Sequence, residues 1–172
     1  TEYFDNIIIV GAMANTFLSA LGYGIGISLT EKKMLQTAEK IIQELKYKKC
    51  KLVLPLDIVC ANSLNGKKEA KTFGVDCCPI DKMILDIGIQ SQKNIMDIIN
   101  KSQTLIWNGP LGAFETRPFD KGTNNIATYA ANRTSKKQLI SIAGGGDTVS
   151  ALKASASISK FSYVSTAGVA FL

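Results

Sequence analysis

The chain has 172 residues, 46% of them hydrophobic, and its 20 Lys and Arg against 14 Asp and Glu give a formal charge of +6. That length and composition suit one globular domain with a real core. There is no histidine, which excludes Ser-His and Cys-His catalytic pairs, and the four cysteines lack the C-x-x-C spacing of a zinc site.

Asn6 to Val10 is an apolar run of the kind buried on both faces of a parallel sheet, and Ala12 to Leu21 reads as helix. Gly22-Tyr23-Gly24-Ile25-Gly26 follows that helix and so ends it, whereas a dinucleotide fingerprint would open one. Thr30 is placed to cap a helix running to about Lys48, with Met34, Leu35, Ala38, Ile41, Ile42 and Leu45 on one face. Lys51 to Leu54 is the next strand, stopped by Pro55, and Ile58 to Ala61 is extended. Asn65-Gly66 predicts a hairpin turn, with Lys67 to Phe73 returning as an exposed antiparallel strand. Met83 to Ile87 is a strand, and Ser91 can cap a helix to about Asn100. The remaining expectations are strands at Thr104 to Trp107, Gln138 to Ala143 and Phe161 to Ser165, with helices at Asn124 to Ala131 and Thr148 to Ala154.

Strands alternating with helices in this way predict an α/β fold: a doubly wound, Rossmann-like three-layer sandwich with a mainly parallel sheet, built by right-handed crossovers. No repeat, low-complexity segment or linker interrupts the chain, so residues 1–172 are expected to be one domain. No apolar run approaches the roughly 20 residues of a membrane span. Arg117 and Arg133 are the only arginines, and the scattered lysines read as solvated faces, with no nucleic-acid surface. Cys77 and Cys78 are adjacent, and with no signal peptide in view all four cysteines are expected to be reduced thiols in a cytoplasm.

Two segments carry chemistry. Ile142-Ala143-Gly144-Gly145-Gly146-Asp147-Thr148-Val149 is an apolar strand entering three glycines and then a carboxylate at the mouth of a helix. Glycines let the backbone approach an anion, the first helical N–H groups point at it, and Asp147 is a hard oxygen donor for magnesium. Taken alone, the segment also fits a glycine turn with Asp147 as helix cap. Thr104 to Glu115 likewise passes from a β-type run into Asn108-Gly109-Pro110-Leu111-Gly112-Ala113-Phe114 and ends in a carboxylate. In an open parallel sheet, two such loops converge on one crevice, which suggests a nucleotide site.

These segments, followed by Phe161-Ser162-Tyr163-Val164-Ser165-Thr166, resemble phosphoglycerate kinase in order and spacing. Gly11-Ala12-Met13-Ala14-Asn15-Thr16-Phe17-Leu18 resembles the family's GGMANTFL, Leu54-Pro55-Leu56-Asp57 its LPVD, and Met83-Ile84-Leu85-Asp86-Ile87-Gly88 its M-x-LDIG. The likeness covers essentially the whole chain and corresponds to the family's C-terminal, nucleotide-binding half. It implies binding of ATP or ADP with Mg2+, in an enzyme that moves a phosphoryl group between ATP and 3-phosphoglycerate in glycolysis. Leu85 matches the wall of the family's adenine slot and Glu115 the acceptor for the ribose hydroxyls. Asn108, Pro110, Gly112 and Ala113 match the loop along the ribose and phosphates. Gly145, Gly146 and Thr148 match positions around the phosphates, and Asp147 matches the magnesium ligand.

The family's lysine-bearing phosphate loop and its acid-binding N-terminal domain correspond to sequence before Thr1. The 172 residues by themselves are therefore expected to be inactive, with 3-phosphoglycerate held elsewhere in the protein and no catalytic residue assigned in this chain; a monomer is expected. The alternative is a non-catalytic nucleotide-binding remnant of a split gene. Two departures touch candidate positions. Val10-Gly11-Ala12 stands where the family has three glycines, and Ser165-Thr166-Ala167-Gly168-Val169-Ala170 stands for its STGGGA. Gly11, Ala12, Thr166 and Gly168 are the site positions so affected.

Overall fold

The first apolar run forms β1 (Asn6–Ile8), which pairs in parallel with β2 (Lys51–Val53) in the register Asn6 to Lys51 and Ile8 to Val53. The computed structural model in which this is seen describes residues 3–165. It divides the chain into two units, Thr1–Ser91 and Gln92–Leu172.

In the first unit, α1 (Gly11–Ala20) and α2 (Leu35–Lys46) form the crossover from β1 to β2. Ile9, Ala14, Phe17, Ala38 and Ile42 make its core, with Ile7, Ala20, Leu52 and Leu54 packed against them. Gly22 does end α1, as expected. It takes φ +86, and the N–H groups of Gly22 and Tyr23 donate to the Ser19 and Leu18 carbonyls in a Schellman closure. Thr30, in contrast, does not cap α2. A 3-10 turn (Lys32–Met34) comes first, and the hydroxyl that accepts the Glu31 N–H (3.2 Å) belongs to Thr16 on α1.

The rest of the first unit is an antiparallel sheet in the order β4-β3-β5, made of β3 (Asp57–Ala61), β4 (Lys71–Gly74) and β5 (Met83–Ile87). β4 returns antiparallel along β3 as the sequence suggests, but not through a two-residue turn. Gly66 has φ −74, outside the left-handed region that an Asn-Gly hairpin turn needs, and a 3-10 turn (Lys67–Glu69) intervenes. Cys60 is fully buried on β3; burial first, then the neighbouring Cys78, push its thiol up to about 12, so it is a poor nucleophile at neutral pH.

α3 (Ile89–Lys101) starts two residues before Ser91, and the reason lies in β3. The Asp57 carboxylate, 4% exposed, accepts the N–H groups of Gln90 (3.0 Å) and Ser91 (2.7 Å) and so caps the helix from another strand. The Ser91 hydroxyl donates to the Asp57 carboxylate (2.6 Å) and accepts the N–H groups of Leu56 (2.9 Å) and Asp57 (3.0 Å). The Gly88 N–H closes the set on the Asp57 carbonyl (2.9 Å). No side chain fits at Gly88, because a Cβ there would lie 2.2 Å from the Asp57 carboxylate.

In the second unit, β6 (Thr104–Asn108), β7 (Ile140–Gly144) and β8 (Tyr163–Val164) form a parallel sheet in that order. α4 (Lys121–Ser135) crosses from β6 to β7, and α5 (Gly146–Ala154) from β7 to β8. Phe119, Ile126, Ala127, Ala130, Leu152 and Ala143 are buried, and Trp107 meets Phe161 with ring centroids 6.1 Å apart. With parallel pairs joined by helical crossovers, the chain has an α/β fold, as expected. No helix among the described residues is long and apolar enough to cross a membrane.

Gly88→Ala should destabilise the protein by roughly 2–3 kcal/mol through overpacking, and Asp57→Ala by a similar amount by orphaning the buried Ser91 amide and hydroxyl and the Gln90 amide. Urea unfolding of both variants checks this; wild-type midpoints would show that the carboxylate does not hold the start of α3.

Candidate functional site: two loops at one edge of a parallel sheet

In the register of β6 and β7, Asn108 lies opposite Gly144. Both strands therefore hand over to their loops side by side, at the carboxyl edge of the sheet. Gly144 is the last residue of β7, Gly145 is the N-cap of α5 with φ +95 and ψ 140, and Gly146 opens the helix. That backbone conformation belongs to glycine alone. The first helical bond runs from the Val149 N–H to the Gly145 carbonyl (3.0 Å). The N–H groups of Gly146, Asp147 and Thr148 thus have no acceptor within the helix, and among the described residues no side chain caps it. Gly146 and Asp147 are exposed, and a Cβ at Gly146 would meet nothing within 4 Å. The arrangement leaves donors and the positive end of the helix dipole open to an anion, with the Asp147 carboxylate in the first turn beside them.

The loop after β6 is built as firmly. Gly109 has φ +94; its N–H donates to the Thr148 hydroxyl (2.7 Å), and its carbonyl accepts the Trp107 indole N–H (2.5 Å). The Leu111 N–H donates to the hydroxyl of Thr123, which is fully buried on α4 (3.0 Å). A turn closes from the Thr116 N–H to the Ala113 carbonyl (2.9 Å), leaving Glu115 exposed, and buried Phe119 anchors the loop's end.

Asn108 therefore ends one strand, with Pro110, Gly112, Ala113 and Glu115 after it, and Gly145, Gly146, Asp147 and Thr148 follow its neighbour. Thr148 differs from the others in being 1% exposed, with its hydroxyl engaged by Gly109. Asp147 is not the helix cap; that position is Gly145. Leu85, Gly11 and Ala12 belong to the first unit. Leu85 is a buried residue of β5, Gly11 opens α1 with φ +63, and Ala12 is exposed. Thr166 and Gly168 lie outside the described residues.

Thr123 escaped the reading of the sequence, because a threonine inside a helix carries no local sign that its hydroxyl serves a loop twelve residues earlier. A shallow depression of about 550 Å3 lined by Ala20, Glu39, Lys40, Gln43 and Glu44 holds none of the site residues. Among the described residues no three His, Cys, Asp or Glu side chains cluster to hold a metal.

The chain is thus an α/β domain with a glycine-rich loop and a helix start side by side at the carboxyl edge of a parallel sheet. Residues 1–172 match the family model described as phosphoglycerate kinase. The chain is 50% identical over 168 residues to a phosphoglycerate kinase of Methylorubrum extorquens (strain PA1), covering 98% of this chain and 42% of the relative. The figures for that of Bradyrhizobium diazoefficiens are the same. A solved phosphoglycerate kinase from Coxiella burnetii superposes with a TM-score of 0.90 at 37% identity, over 97% of this chain and 42% of that one. One from Pyrococcus horikoshii shares the fold, with a TM-score of 0.75 at 23% identity. The chain belongs to the phosphoglycerate kinase family, and it spans 42% of the length of the curated relatives it matches.

Gly145→Ala should strain the turn into α5 and destabilise the protein by about 1–3 kcal/mol. Gly146→Ala, with open space for its methyl, should leave stability equal or raise it by up to about 1 kcal/mol. Thermal unfolding compares the two; equal losses would mean that the backbone of Gly145 is not what the glycine preserves.

Proposed function

We propose that this chain is the nucleotide-binding half of a phosphoglycerate kinase, which transfers a phosphoryl group reversibly between ATP and 3-phosphoglycerate to give ADP and 1,3-bisphosphoglycerate. The observation that carries the proposal is the uncapped start of α5 at the edge where the Asn108 and Gly144 strand ends meet. The N–H groups of Gly146, Asp147 and Thr148 suit the nucleotide's phosphates, and Glu115, exposed on the neighbouring loop, suits the ribose hydroxyls as a charged acceptor. Leu85 is proposed for the adenine end on the family resemblance alone. Family membership in a glycolytic enzyme supports the cytoplasm as its compartment.

A single carboxylate is a weak Mg2+ site, since the ion prefers several oxygen ligands and keeps its waters, but one carboxylate plus phosphate oxygens is a usual set. Asp147 fits that role. It is exposed, stands in the first turn of α5, and among the described residues belongs to no cluster of three or more His, Cys, Asp or Glu side chains. Bound with the nucleotide, the ion would neutralise negative charge on the transferring phosphoryl group. The chain's own part is positioning. The α5 amides fix the phosphates, Glu115 fixes the sugar, and the two loops are tied to one another so that both ends of the nucleotide keep one geometry.

Calorimetry of the protein carrying this chain should show Mg2+-dependent binding of ADP that falls at least about tenfold in Asp147→Ala, a difference of roughly 1.4 kcal/mol. Unchanged magnesium dependence in that variant would overturn the assignment. Glu115→Gln should weaken ADP binding by about 1.5–3 kcal/mol, the worth of a charge-assisted hydrogen bond, and leave Mg·pyrophosphate binding as it was. Equal losses for both ligands would make Glu115 a structural residue.

A further inference from the structure

We infer that the buried hydroxyls of Thr123 and Thr148 are positioning groups for the nucleoside end of the site, and that the Thr148 side chain is not itself a phosphate ligand. This rests on the nucleotide-binding reading above. Thr148 stands among the phosphate-facing residues in sequence, yet only its backbone belongs there. The residue is 1% exposed, and its side-chain oxygen accepts the Gly109 N–H at 2.7 Å. The hydroxyl therefore serves the neighbouring loop, while the N–H of the same residue stands in the first turn of α5 with no acceptor within the helix.

Thr123 does the same from α4. It is fully buried, and its hydroxyl accepts the Leu111 N–H at 3.0 Å. The Leu111 amide is buried and the Gly109 amide half-buried, and each takes its threonine hydroxyl as acceptor, so losing a hydroxyl leaves a poorly solvated donor without its partner. Between them the two threonines fix Gly109 and Leu111, and Phe119 fixes the far end. The stretch carrying Gly112, Ala113 and Glu115 is thereby held at both ends. Loosening either tie frees Glu115 to wander, so the ribose loses its preorganised partner while the α5 amides and Asp147 stay in place.

The test uses Thr123→Val and Thr148→Val, which keep the shape and remove the hydroxyl, with Thr148→Ser as the rescue. Hydrogen exchange reads the ties directly. The Gly109 amide should exchange about tenfold faster in Thr148→Val and the Leu111 amide about tenfold faster in Thr123→Val, with the β7 amides unchanged and Thr148→Ser like the wild type. Calorimetry reads the consequence: both valine variants should weaken Mg·ADP about tenfold and leave Mg·pyrophosphate unchanged. Weakening of both ligands alike in Thr148→Val would overturn the inference and make the hydroxyl a phosphate contact. Unchanged exchange at Gly109 and Leu111 would overturn it as well. A wild-type protein that binds neither ligand would defeat the nucleotide-binding reading instead, and the exchange rates would still decide whether the two hydroxyls hold the loop.

Discussion

Every helix that follows directly on a strand must find acceptors for its first amides, and that constraint is met differently at α3 and at α5 in this chain. At α3 the acceptor is the protein's own Asp57 carboxylate, seated so closely that Gly88 has no room for a side chain. That helix start is closed. At α5 the cap is a glycine, no side chain reaches back, and the carboxylate present, Asp147, points out to solvent from within the first turn. Unmet donors that would weaken a fold if buried are, at the edge of a sheet, the kind of helix start that suits an anion.

The parts legible in the sequence are those whose cause is local. Met83–Ile87 appears as read, residue for residue, because its apolar run is bounded by its own turn residues. The glycine triplet announces its own backbone, and the two loops after β6 and β7 converge because parallel strands force them to. Where the structure departs from the sequence pattern, the cause lies elsewhere in the chain. Ser91 has the look of a cap, and nothing near it reveals that Asp57 supplies the capping group, thirty-four residues earlier. Thr30 has it too, whereas the hydroxyl that serves this turn comes from Thr16. Asn65-Gly66 carries a strong turn signal, and the longer link with its own 3-10 turn overrides it.

Thr148 illustrates why a motif is not a list of ligands. Five consecutive residues, Gly144 to Thr148, do four different things: end a strand, take a backbone shape open only to glycine, present amides and a carboxylate, and brace the adjacent loop through a buried hydroxyl. A serine would preserve the last of these and a valine only its volume. The family resemblance names the positions; the hydrogen bonds say which atoms of each position matter.

α4 and α5 end in the same way, and neither uses glycine. Lys137 (φ +57) and Ala156 (φ +52) take the left-handed turn that lets the next N–H groups reach back, from Gln138 to Arg133 and from Ser157 to Leu152. Each residue with a Cβ in that conformation holds strain of about 1 kcal/mol that a glycine would relieve. Both bends feed strands β7 and β8 at their amino ends, the opposite edge from the loops of the site. Heat tolerance in this half of the chain can thus drift upward or downward at two positions during evolution, while the geometry presented to a ligand stays the same.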